Sequence, residues 1–110
     1  MTSKGNLYHE IPASLPEEHV TIVARGEDVR VERIVSRGHR SPDGFWYDQA
    51  KHEWVAVIAG RARLRFDDGA DLELGPGDHV TIPAHRRHRV EWTDPEQETI
   101  WLAVFYREAG

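Results

Sequence analysis

The chain contains no cysteine. Disulfides and thiolate metal sites are therefore excluded, and any bound metal must use His, carboxylate, amide, phenol or water. Long apolar runs are also missing. The longest, Trp54 to Ala59 and Ile100 to Tyr106, are far too short for a membrane-spanning helix. The start, Met1-Thr2-Ser3-Lys4-Gly5-Asn6, lacks the apolar core of a secretory signal, so a cytoplasmic location is expected. Positive charge is in deficit. The formal net charge is −5 and the isoelectric point is near 5.8, which argues against nucleic acid as a partner. Internal repeats, low-complexity tracts and linkers are absent, and so are Gly-rich phosphate loops, a nucleophile elbow and a His-Glu-x-x-His segment. Nucleotide-binding and hydrolase-triad readings have nothing to rest on.

What is present is an ordinary globular composition in 110 residues, enough for a single domain over 1–110 with a modest core. The pattern is β. Short strands are expected at Thr21–Arg25, Val29–Val35, Trp54–Ala59, Arg61–Phe66, around Leu72 and Leu74, at Val80–Ile82, from Arg87 to Trp92 and at Thr99–Tyr106. Arg61 to Phe66 alternates strictly: Ala62, Leu64 and Phe66 face inward, and the Arg61, Arg63, Arg65 stripe faces solvent. Asp67-Asp68-Gly69 and Gly75-Pro76-Gly77-Asp78 are turn signals. Ser14-Leu15-Pro16-Glu17 has capping-box spacing and predicts one short helical turn before the strands. Val29 to Val35 shows no clean face. The last strand is apolar on both faces, so it is either covered by the N-terminal segment or buried in a homodimer. Regular short strands with Gly and Pro turns and no long helix indicate an antiparallel sandwich or barrel, with its core at about residues 21–106.

Seven histidines are present, and His52, His79, His85 and His88 fall in or beside two segments about thirty residues apart. One is Tyr47-Asp48-Gln49-Ala50-Lys51-His52-Glu53. The other is Pro83-Ala84-His85-Arg86-Arg87-His88. By strand alternation His88 points inward with Val90 and Trp92, where an unpaired imidazole is costly unless bonded or metal-bound. Glu53 opens an apolar strand and is either a surface carboxylate or an oxygen ligand. Gln49 and Tyr47 share a face leading to it. His52 points the other way, and His79 alternates out to the surface. His85 either joins the site or rims it.

These segments resemble the two motifs of the cupin superfamily. Six residues separate Glu53 from Gly60, and three separate Gln49 from Glu53, as in the family's first motif. Gly77, Pro83 and His88 match the second, with His85 replacing its inner Gly and Trp92 its Asn. The resemblance covers roughly residues 30–106. It implies a small antiparallel β-barrel, the double-stranded β-helix or cupin jelly roll, with a divalent metal ion (Zn, Ni, Fe, Mn or Co) at the barrel mouth. Carried over by position, the metal ligands are Gln49, Glu53 and His88, with Tyr47 in the fourth position. The usual three-His, one-Glu set is reduced here to one His, one Glu and a Gln. Two functions are compatible with such a chain. One is a metal-dependent enzyme acting on a small polar substrate, with Tyr47 or His85 as acid or base. The other is a non-catalytic small-molecule binder or dimeric structural barrel without metal, its pocket lined by Tyr47 and Trp92. Neither reading involves nucleic acid or membrane.

Overall fold

A computed structural model describes residues 2–108. The described chain forms eight strands: β1 (His19–Gly26), β2 (Val29–Ser36), β3 (His52–Ala59), β4 (Ala62–Phe66), β5 (Asp71–Leu74), β6 (His79–Ile82), β7 (His88–Thr93) and β8 (Thr99–Tyr106). They build two antiparallel sheets. One has the order β1-β2-β8-β3-β6 and the other β5-β4-β7. This is the all-β barrel expected. The core lies between the sheets and is made of inward residues of both, including Val55, Val57, Ile82, Trp101 and Ala103 from the first and Ala62, Leu64 and Leu74 from the second. No helix among the described residues is long and apolar enough to cross a membrane.

The hairpin β4–β5 follows its alternation. Ala62 and Leu64 are buried, while Arg63 and Arg65 face out and pair with Glu73 (3.5 Å) and Asp71 (2.8 Å). The helical turn expected at Ser14–Glu17 does not form; residues 13–17 contain only bends. So short a segment before a strand is too small to offset helix nucleation. Leu15 instead gives its carbonyl to His39 Nε2 (3.1 Å), and neighbouring Glu18 is drawn to Ser36.

Strand β2 lacked a clean face because both of its faces are covered. Arg30, Glu32 and Ile34 line the barrel interior. Arg33 lies on the opposite face, 5% exposed, and donates to the carbonyls of Leu7, His9 and Glu10. The N-terminal segment thus crosses the outside of this sheet, and Tyr8 reaches the Ile58 carbonyl on β3 (3.4 Å). β1 is an edge strand with Val20, Ile22 and Val23 exposed.

Trp92 departs from its expected place. Between the Leu64↔Val90 and Arg63↔Trp92 pairs the register shifts, leaving Glu91 as an extra residue. Such a bulge reverses the facing of the residues beyond it. Val90 stays inward, while Trp92 turns to the surface, 36% exposed beside the Arg63 guanidinium at 5.9 Å. Trp92 therefore lies outside the cavity between the sheets.

Candidate functional site

A cavity of about 270 Å³ lies between the sheets. Its apolar walls include Val55, Leu64, Ile82 and Phe105, and its polar lining comes from Glu18, Arg30, Glu32, Tyr47, Gln49, Glu53 and His88. Cross-strand register explains the position of Glu53. It sits directly opposite Ile82 on β6 and Phe105 on β8, so all three side chains share the inner face. His52, one residue earlier, faces outward opposite Tyr106 and accepts the Ala84 N–H at its Nδ1 (2.9 Å). That bond holds the β6–β7 loop.

Tyr47 and Gln49 reach the site because their segment runs alongside the start of β7. Tyr47 and His88 exchange backbone hydrogen bonds (2.7 and 3.2 Å), and the Gln49 carbonyl accepts the His85 N–H (2.7 Å). The Tyr47 ring then lies over the His88 ring, with centroids 5.3 Å apart and planes 26° from parallel.

His88 is 4% exposed. Its Nδ1 lies 2.8 Å from the Arg86 carbonyl oxygen, which can only accept, so Nδ1 carries the hydrogen. In the neutral ring Nε2 is then a bare lone pair. It lies 3.5 Å from Glu53 Oε1, too long for a hydrogen bond. Gln49 Nε2 donates to the same Oε1 at 2.9 Å. Two acceptors thus confront one another in a buried place, an arrangement that calls for a cation or a proton between them. Gln49, amide nitrogen toward Glu53, braces the carboxylate; its oxygen would become a donor to metal only after an amide flip.

His85 is outside the cavity. It holds a left-handed backbone conformation, φ +64°, where the family pattern has glycine. Its ring turns outward to Asp48 Oδ1 (2.7 Å), with the side chain 69% exposed. Of the two acid–base candidates, only Tyr47 faces the cavity. Burial pushes the Tyr47 phenol above its ordinary pKa, and the negative charges of Glu18, Glu53 and Glu32 push it further the same way. The phenol therefore keeps its proton at neutral pH and can act as a donor.

Sequence reasoning missed Glu18, Arg30 and Glu32. Arg30 Nε lies 2.6 Å from Glu32 Oε2 while its guanidinium sits 4.5 Å above the Phe105 ring. Glu18 accepts a hydrogen bond from Ser36 Oγ, which in turn accepts from Trp101 Nε1 (3.1 Å). For Arg30 and Glu32 the trace in the sequence was Arg30-x-Glu32-x-Ile34-x-Ser36, two charged residues and a serine on the same strand face as an isoleucine.

Among the described residues, no three His, Cys, Asp or Glu side chains are grouped so as to hold a metal ion. Here the donors are one imidazole and one carboxylate, with an amide beside them. That set fits a weakly held divalent cation with water completing its shell, since fewer imidazoles lower affinity for late first-row metals.

A search of curated proteins found no match. Among solved structures, a Ralstonia eutropha protein provisionally described as a mannose-6-phosphate isomerase is 40% identical, with a TM-score of 0.93 over 97% of this chain and 100% of that one. A cupin superfamily protein of Desulfitobacterium hafniense is 17% identical, with a TM-score of 0.73 over 89% of this chain and 84% of that one. An RmlC-like cupin with a double-stranded β-helix fold from Methanocaldococcus jannaschii is 18% identical, with a TM-score of 0.70 over 97% and 93%. The family model described as the cupin domain matches residues 34–105. With that match across most of its length and a full-length relative at 40% identity, the chain belongs to the cupin family.

Proposed function

We propose that this cupin is a metal-dependent enzyme that moves a proton on a small polar substrate bearing a hydroxyl or carbonyl group. The observation that carries the reading is the bare Nε2 of His88 facing Oε1 of Glu53 at 3.5 Å, an oxygen that already accepts from the Gln49 amide. His88 and Glu53 would hold a divalent ion (Zn, Ni, Fe, Mn or Co), and Gln49 would steady Glu53 or turn its oxygen to the ion. When bound, such an ion acts as a Lewis acid on a coordinated oxygen. The chain's own residues do the rest. The Arg86 carbonyl fixes the His88 tautomer. The Tyr47 phenol, kept protonated, donates a hydrogen bond or a proton to the substrate. Val55, Leu64, Ile82 and Phe105 keep the cavity apolar around the polar groups. The isomerase description of the Ralstonia relative is in keeping with proton-transfer chemistry.

Elemental analysis of untagged protein, purified without chelator and then reconstituted, tests this. We expect a stoichiometric ion that is lost in His88→Ala. Less than about a tenth of an ion per chain after reconstitution, or full retention in His88→Ala, removes the reading. A second reading, a metal-free small-molecule binder, is favoured by the shortage of imidazole and carboxylate donors at the site. It wins if metal-free protein binds a small ligand as tightly as the reconstituted protein. We also propose a homodimer, supported by the exposed apolar edge strand β1. A monomer by light scattering at high concentration would remove it.

A further inference from the structure

The charge inside the cavity is unbalanced. Three carboxylates line it, those of Glu18, Glu32 and Glu53, against the single guanidinium of Arg30. Arg30 is already engaged with Glu32 at 2.6 Å and with the Phe105 face. Glu53 confronts His88 and is accounted for by the ion of the proposed site. Glu18 is left over. Among the described residues, no Lys, Arg or His nitrogen lies within ion-pair distance of it.

Glu18 is nevertheless held in place. The donor chain runs from the Trp101 indole N–H to Ser36 Oγ, and from the Ser36 hydroxyl to Glu18 Oε2. Trp101 is 4% exposed and Ser36 fully buried, so this chain is a rigid interior prop rather than a surface accident. It spends one lone pair of one carboxylate oxygen and leaves the remaining acceptor sites free. A half-buried, positioned carboxylate without a counter-charge carries a desolvation cost that a cationic partner relieves. His88, more than nine-tenths buried with Nε2 lacking a hydrogen-bond partner, provides a second contact point in the same cavity.

We infer that the cavity selects a small hydroxylated ammonium compound, its amine against Glu18 and its oxygen at the His88–Glu53 end. The inference rests on the proposed site only for the oxygen end; the amine preference belongs to Glu18. A phosphorylated ligand is disfavoured for the same reason. It would bring a dianion among three carboxylates with no unengaged Arg or Lys lining the cavity.

A matched series tests this in the reconstituted full chain: glycerol, aminopropanediol and glycerophosphate, titrated calorimetrically at low salt. Aminopropanediol is expected to bind at least about tenfold more tightly than glycerol, the value of one charge-assisted contact. Glycerophosphate is expected to bind most weakly. Glu18→Gln should erase the amine preference while leaving glycerol affinity and metal content unchanged. Ser36→Ala, which loosens Glu18 without removing its charge, should reduce the preference in part. Glycerophosphate binding as tightly as the amine would overturn the inference, as would an unchanged amine preference in Glu18→Gln or no binding of any of the three at millimolar concentration. If Glu18→Gln fails to fold, an unchanged preference in Ser36→Ala overturns it equally. Loss of metal in His88→Ala reports separately on the proposed site, so the two failures are distinguishable.

Discussion

Gly60 offers the most direct test of how the family spacing is enforced. It joins β3 to β4 with φ +83°, a conformation that L side chains adopt at a cost of about 1–3 kcal/mol. A Cβ there would lie 2.5 Å from the Glu98 carbonyl oxygen and 2.5 Å from both Cα and Oγ1 of Thr99. Two of these are backbone atoms, so the strand itself must shift; comparable overpacking costs about 1–3 kcal/mol. Thr99 is fully buried, and its hydroxyl receives the Arg61 N–H (3.2 Å) and donates to the Arg61 carbonyl (3.0 Å). Displacing it weakens two bonds worth about 1 kcal/mol each. Gly60→Ala should therefore cost about 3–6 kcal/mol, a large part of the roughly 5–15 kcal/mol that stabilises a domain. Gly69 is the control. Its φ is +91°, but a Cβ would meet nothing within 4 Å. Gly69→Ala carries the backbone strain alone and should cost about 1 kcal/mol. Urea unfolding of both variants, followed by tryptophan fluorescence, separates strain from collision. If the two stabilities agree to within about 0.5 kcal/mol at equal slope, the close approach at Thr99 is not what demands glycine.

Other consequences are measurable. The raised Tyr47 pKa means the folded state favours the neutral phenol. That stability is complete below the ordinary phenol pKa of 10.0 and is lost as pH rises through the folded value. Ultraviolet titration should show a late-ionising tyrosine that disappears in Tyr47→Phe; an unchanged titration curve contradicts the placement. Asp71 is held below its ordinary pKa, chiefly by its hydrogen bond from Arg65, so its contribution is present above the unfolded value and lost as pH falls through the folded one. In Arg65→Met, a carboxyl titration followed by NMR should return Asp71 toward 3.8; no movement would dismiss the pairing. Arg33→Met releases the N-terminal segment from its three carbonyl contacts and should cost about 1–3 kcal/mol. Limited proteolysis should then cut before His19 much faster than in the parent, and equal cleavage rates would show that Arg33 is not the clamp.

Much of the barrel was legible because its signals are local. The alternation from Arg61 to Phe66 and the two turn signals after it need only the two-residue period of a strand, and β4 and β5 obey it. The inward facing of His88 was legible for the same reason, since it shares a face with Val90 in a regular stretch. Glu53 stayed between surface and site because it opens its strand, and only its register against Ile82 and Phe105 turns it inward. Trp92 misread because a one-residue bulge at Glu91 reverses the alternation, and no residue there announces it. His85 stayed undecided because its direction depends on a left-handed backbone in a loop, where strand periodicity has no force. Glu18, Arg30 and Glu32 were hidden for a third reason. Charged residues on or beside a strand read as solvent-facing, yet these face a cavity, where Arg30 pairs with Glu32 and Glu18 with Ser36.

By itself the sequence determined the all-β architecture, the hairpin register and the motif spacing, because these arise from side-chain period, turn chemistry and the single glycine that a tight corner admits. Only the tertiary structure decided what the interior contains. Bringing Tyr47 onto His88, turning His85 out to Asp48 and hanging Glu18 from Ser36 and Trp101 each join residues far apart in the chain. Such meetings are set by sheet order and strand crossing, which no local pattern encodes. The conflict between two buried acceptors at His88 and Glu53, and the surplus carboxylate at Glu18, exist only once the two sheets have closed around them.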